Sequence, residues 1–140
     1  MTDRPDLAAM LQPLVRSLIA AELPILEAHD ISMWGYIVLG ALDGSPTRSQ
    51  AALAESINAD KTRIIGVLDR LQERGLITRT PAPEDRRVRI LAITAAGRRL
   101  RTAIQSEIQA GERSLLAILP ETDRAAFLRA ARTLHDHLRS

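Results

Sequence analysis

Two short groups of side chains in this 140-residue sequence could do chemistry on a polyanion. Lys61, Thr62 and Arg63 follow Asp60, and Asp85, Arg86 and Arg87 close the run 81–87. Ammonium and guanidinium groups only donate hydrogen bonds, and the planar guanidinium fork matches phosphate and guanine bidentately. Their surroundings are basic too. Residues 61–101 hold eleven Lys/Arg against four Asp/Glu, a balance of +7. Residues 1–60 hold three against eight, and residues 102–140 five against five. The net charge of +2 therefore conceals a central positive stretch, the electrostatic footprint of a polyanion partner.

Other chemistries find little support. The sequence has no glycine-rich phosphate loop, nucleophile elbow or HExxH motif, so neither an enzyme nor a cofactor is expected. His135 and His137 flank Asp136, but residues two apart on a helix point in different directions. With no cysteine in the chain, no metal site is expected there, and a solvated helix end is the better reading. No Arg-led apolar leader opens the chain, and no apolar run approaches the roughly 18 residues of a membrane helix. The expectation is a cytoplasmic protein with no membrane partner.

The basic groups need elements to position them. Apolar residues at Leu7, Leu11, Leu14, Leu18, Ala21 and Ile25 predict an amphipathic helix over 6–29, with Pro13 and Pro24 delaying, kinking or breaking it. Ser32 caps a helix over 33–43, residues 43–46 make a turn, and Thr47 caps a helix over 48–56. After a corner at 56–59, Asp60 caps a helix over 61–74 whose core stripe is Ile64, Leu68 and Leu71, and Gly75 ends it. Strands over 76–80 and 88–93 flank a charged loop at 81–87. Thr94 caps a helix over 95–118 with the stripe Leu100, Ile104, Ile108, Gly111, Leu115 and Ile118; Pro120 breaks it, and a last helix covers 121–138.

The fold class is therefore mainly α, with a small antiparallel wing of two or three strands. The first and last helices carry apolar stripes that no neighbouring segment covers. A second copy of the chain packed across a two-fold axis would cover them; a monomeric helical bundle is the alternative. The domain reading has 1–30 and 95–140 as a helical dimerisation region and 31–94 as a DNA-binding lobe.

In that lobe two helices at a tight corner can set the second in the major groove of duplex DNA, led by Lys61, Thr62 and Arg63. Gly66, in mid-helix, either lets the helix approach the duplex or serves packing against the preceding helix. Ile65, at the edge of the stripe, is read as core rather than as a contact to a thymine methyl. The proline-stiffened loop 81–87 would carry an Arg to a narrow minor groove.

The residues Leu53-Ala54-Glu55, Leu68-Asp69-Arg70-Leu71, Gly75-Leu76-Ile77, Arg79, Pro83, Asp85-Arg86-Arg87, and Ile93-Thr94 followed by Gly97 resemble, without a gap, the MarR-type (multiple antibiotic resistance regulator) winged-helix transcription factors. Departures are Ile93, where Leu is usual, and the prolines of the first helix. The resemblance implies a homodimeric regulator, a repressor as a rule, on a palindromic operator. It implies a recognition helix at Lys61–Glu73, including Gly66 and Arg70, and a minor-groove Arg at the wing. Asp-x-Arg spacing selects Arg87, oriented by Asp85. Arg79 either pairs with the wing or touches phosphate, and Ser49 and Gln50 are phosphate candidates. It also implies release by a small aromatic or phenolic effector, for which Arg16, His29, Met33, Trp34 and Tyr36 fall in the corresponding region; as rings in a second helix, Trp34 and Tyr36 also suit a core. The competing class is a winged-helix protein-interaction module without specific DNA binding.

Overall fold

The computed structural model describes residues 3–139, and of Arg48 only the backbone; residues 1, 2 and 140, the ends of the expected helical region, lie outside the described residues. The elements run α1 (Leu7–Ala28), α2 (Met33–Gly44), β1 (Thr47–Arg48), α3 (Gln50–Ser56), α4 (Lys61–Glu73), β2 (Ile77–Ala82), β3 (Asp85–Ile93), α5 (Ala95–Leu116) and α6 (Glu121–Arg139). The sheet is antiparallel in the order β1-β3-β2.

Most helix starts follow from side chains that accept otherwise unpaired amides. Ser32 Oγ accepts from Gly35 N at 3.0 Å, Asp60 Oδ1 from Thr62 N at 2.9 Å, and Thr94 Oγ1 from Gly97 N at 3.0 Å. Gly75, at φ +71°, turns the chain from α4 into β2. Thr94 Oγ1 also donates to Gly75 O at 2.7 Å, tying the start of α5 to that turn. A Cβ on Gly97 would run into the Leu76 carbonyl, so the approach of α5 to the α4–β2 corner needs glycine there.

The core is aliphatic, as the 2% aromatic content requires. Leu26, Val38, Leu39, Leu42, Leu53, Ile64, Leu68, Ile77, Leu91 and Ile104 are fully buried and come from α1 to α5 and both long strands. Each is worth about 1.5–3 kcal/mol relative to exposure. The cluster lies under α4 and the sheet, so the recognition-helix candidate is packed from behind by α2, α3 and β2.

Several expectations are corrected. Thr47 does not cap the third helix: Thr47 and Arg48 pair with Leu91 and Ile90, and Ser49, at φ +67°, caps α3 by accepting from Ala52 N at 3.1 Å. A two-residue strand is too short to show alternation in sequence. The wing is longer than expected. Only Pro83 and Glu84 lie between the strands, and Asp85, Arg86 and Arg87 belong to β3. Pro81 is tolerated because β2 is an edge strand, and a register shift follows it.

The prolines do not break α1, which runs through Pro13 and Pro24 to Ala28. The first turn of a helix would tolerate proline freely; here the two carbonyls lacking an i+4 amide, Ala9 and Ala20, lie in exposed segments where water can serve them. The expectation about membrane-length segments also fails. An 18-residue window of α1 has mean hydropathy 1.3, so by length and composition this helix could cross a membrane. Counting uninterrupted apolar runs overlooks such a window, because isolated charges such as Arg16 and Glu22 punctuate it. Finally, the α5 stripe does not persist: Ile104 and Ile108 are buried, but Gly111 is exposed and Ile118 lies beyond the helix end, 77% exposed.

Candidate nucleic-acid interface

Asp60 organises the leading end of α4. Its carboxylate accepts the Thr62 amide and, at 2.7 Å, the Thr62 hydroxyl. These bonds hold the Asp60 carboxyl below its ordinary range, the Thr62 hydroxyl contributing most. Thr62 is thus partly committed to the cap. Lys61 and Arg63 are exposed beside it and make no side-chain hydrogen bond or ion pair with the described residues. Gly66 is exposed, and a Cβ there would meet nothing within 4 Å. Packing against α3 therefore does not demand glycine. Ile65 is not core: it is 42% exposed.

At the wing, Asp85 and Arg87 form a local unit. Asp85 Oδ1 accepts from the Arg87 amide at 3.0 Å and from Nε at 3.2 Å, and Oδ2 from a terminal guanidinium nitrogen at 3.3 Å. These bonds depress the Asp85 carboxyl, with the Arg87 side chain contributing first and its amide second. The Arg87 side chain stays 91% exposed, presented rather than spent. Arg86 is exposed too.

Two arginines assigned to DNA by sequence have other partners. Arg79 is only 18% exposed and donates to Gln72 Oε1, to Gln50 Oε1 at 3.0 Å and to Asp69 Oδ1 at 2.6 Å. It is a strut joining β2 to α3 and α4, and Gln50 is engaged by it. Arg70 donates to Asp30 Oδ2 at 2.8 Å, and Arg74 to the Asp30 and His29 carbonyls. Both fasten the trailing half of α4 to the α1–α2 corner, where Asp30 takes φ +54°. Ser49 Oγ serves as the α3 cap.

Arg89 was missed. It is exposed on β3, beside Gln50, Gln72 and Arg79 around a polar hollow of about 390 Å³. Its signal was present in the strand period: residues 85, 87 and 89 alternate onto one face.

The five effector candidates are not gathered at one cavity. His29 Nε2 lies 3.0 Å from Glu107 Oε2, Met33 and Tyr36 pack on the core, Trp34 is half-buried and Arg16 is exposed. None of them lines the cavity of about 330 Å³ between α1 and α5. Its walls are Leu18, Ile25, Ile108 and Leu115, and its charged groups are Glu22 and Glu112. Burial first, and Glu112 second, raise the Glu22 carboxyl. Tyr36 is near enough to feel both glutamates; burial raises its hydroxyl and Arg101 opposes the rise.

The comparisons fit this geometry. Residues 29–88 match the model of the MarR family. A protein of Thauera aromatica named for transcriptional regulation of the hcr operon is 29% identical over 100 residues, covering 71% of this chain and 60% of that protein. The transcriptional regulator HosA of Escherichia coli O111:H- is 32% identical over 77 residues, covering 55% and 57%. The chain thus spans under two thirds of the length of these curated relatives. Two structures of CouR superpose over nearly the whole chain. One, a transcriptional repressor bound to a 23-mer DNA duplex, has TM-score 0.74 and 27% identity, covering 93% and 92%. The other, from Rhodococcus jostii RHA1 and bound to p-coumaroyl-CoA, has TM-score 0.73 and 26% identity, covering 99% and 94%. These relatives are named as regulators, not as enzymes.

Proposed function

We propose that this chain, whose residues 29–88 match the model of the MarR family, is a DNA-binding transcriptional regulator, a cytoplasmic homodimer that represses from a palindromic operator. The observation that carries the reading is the pairing of two exposed basic groups on one packed lobe. The first is the exposed leading end of α4 with Lys61 and Arg63. The second is Arg87, held by Asp85 at 91% exposure. A helix N-terminus adds its positive dipole end to the first group, and an Arg on a narrow wing suits the minor groove. Arg89, on the same face of β3 as Arg87, extends the basic surface, and Arg86 is exposed on the other face.

Dimerisation is supported by apolar surface left exposed among the described residues. Leu7, Met10, Leu11, Val15, Ile19 and Leu23 on α1, and Phe127, Leu128, Leu134 and Leu138 on α6, are all exposed, and α6 has no buried residue. This surface also accounts for the hydropathy of α1 without a membrane. The helical region 1–30 with 95–140 and the lobe 31–94 are the corresponding division of labour. An aromatic or phenolic effector is supported by CouR, one structure of which holds p-coumaroyl-CoA. In this chain the α1–α5 cavity suits a neutral phenol better than an anion, since a phenolic hydroxyl can donate to Glu22 or Glu112 and a carboxylate would be repelled.

Selection of bound duplexes from a random pool, at near-physiological salt, tests the function. A palindrome with half-sites about one helical turn apart is the expected result. Absence of any enriched sequence would favour a protein-interaction module.

A further inference from the structure

Ile65 stands apart from every other apolar side chain of α4. Ile64, Leu68 and Leu71 are buried and Val67 packs against the core, while Ile65 is 42% exposed. It stands apart in the whole molecule as well. Among the described residues, every other exposed large apolar side chain lies on α1 or from Ile118 onward, where the proposed dimer surface accounts for it. Ile65 alone lies in the DNA-binding lobe.

Its position on the helix is specific. Lys61, Ile65, Asp69 and Gln72 recur at intervals of four, four and three, and so share one face. Arg79 occupies the trailing half of that face by binding Asp69 and Gln72. The leading half, Lys61 and Ile65, is unoccupied, and that half of a recognition helix is the part that reaches base edges. The next residue, Gly66, has no side chain to hold a duplex away.

Resting on the proposed DNA-binding function, we infer that Ile65 is a specificity-determining residue that reads a thymine through its C5-methyl group in the major groove. An isoleucine side chain has no donor or acceptor. Of the features on base edges in that groove, the thymine methyl is the apolar one it complements.

The test replaces single thymines by uracil in a duplex recovered from the random pool, which removes the methyl and leaves the base pairing intact. Affinities of the wild type, Ile65→Ala and Ile65→Val are measured at one salt concentration, with thermal unfolding to verify folding. The expected result is one thymine per half-site at which uracil weakens wild-type binding about three- to fivefold, the worth of one buried methyl-sized group. Ile65→Val should keep that sensitivity and Ile65→Ala should lose it. Two results would overturn the inference while leaving DNA binding intact: no methyl-sensitive thymine in a duplex the wild type binds selectively, or equal sensitivity in Ile65→Ala. If the pool yields no preferred duplex, the proposed function fails first and this inference with it.

Discussion

At the scale of single residues, the lobe separates side chains bound into the fold from side chains left exposed. Arg87 belongs to the second kind. Arg87→Ala should leave the unfolding temperature near that of the wild type and weaken operator binding by about tenfold or more, as expected for a charge-assisted contact. Retained affinity at matched salt would remove Arg87 from the interface. Gly66 offers a sharper contrast. With open space around its Cα, Gly66→Ala should raise stability by about 0.5–1 kcal/mol, the difference in helix preference. The same substitution should lower DNA affinity if the duplex comes close to that turn. Chemical denaturation and a binding titration on one preparation read both effects. A destabilised variant would restore the packing explanation.

At the scale of elements, ion pairs set how α4, the wing and α5 sit together. Arg79 joins three elements, so Arg79→Met should reduce both stability and DNA affinity. The slope of log affinity against log salt should not change, because no phosphate contact is lost. A slope reduced by about one would reinstate Arg79 as a phosphate ligand. Farther from the interface, Asp43 on α2 accepts from Arg98 Nε at 2.8 Å and from Arg101 at 2.9 Å, tying α2 to α5. The Arg98 hydrogen bond, first among its causes, holds the Asp43 carboxyl below its ordinary value of 3.8. A depressed carboxyl contributes stability that is present above its unfolded value and lost as pH falls through the lower folded value. Wild type should therefore be more stable than Asp43→Asn at neutral pH, and the gap should close only below about pH 4. Urea midpoints of both proteins across that range check the sign; a gap that closes near pH 6 would point to a different group.

At the scale of the whole molecule, the apolar faces of α1 and α6 define the proposed assembly. Leu11 and Phe127 are 41% and 42% exposed, on the first and last helices. Leu11→Glu combined with Phe127→Glu should convert the dimer to monomer in sedimentation velocity, because a charge in an apolar interface is left without a partner. Affinity for a full palindrome should drop far more than affinity for one half-site. An unchanged sedimentation coefficient would show that α1 and α6 bury these faces in some other way.

Much of this was legible in the sequence, for local reasons. Caps at Ser32, Asp60 and Thr94, the stop at Gly75 and the stripe Ile64-Leu68-Leu71 depend on neighbours within a turn or two, so α2, α4 and the start of α5 could be read directly. The Asp85–Arg87 pair spans two residues and was readable for the same reason. What stayed hidden depends on partners far along the chain. The strand at Thr47–Arg48 exists because β3, more than forty residues on, supplies its hydrogen bonds. Arg79 and Arg70 look like free cations until folding brings Gln50 to one and Asp30 to the other. Ile65 looks like core because hydrophobicity alone cannot say which side of a stripe's edge the neighbouring elements will cover. Sequence determined where α2, α4 and α5 begin, where the charge lies and which family the lobe resembles. Tertiary structure decided which arginines are bound into the scaffold and which stay exposed, because that depends on distances between segments that only packing sets.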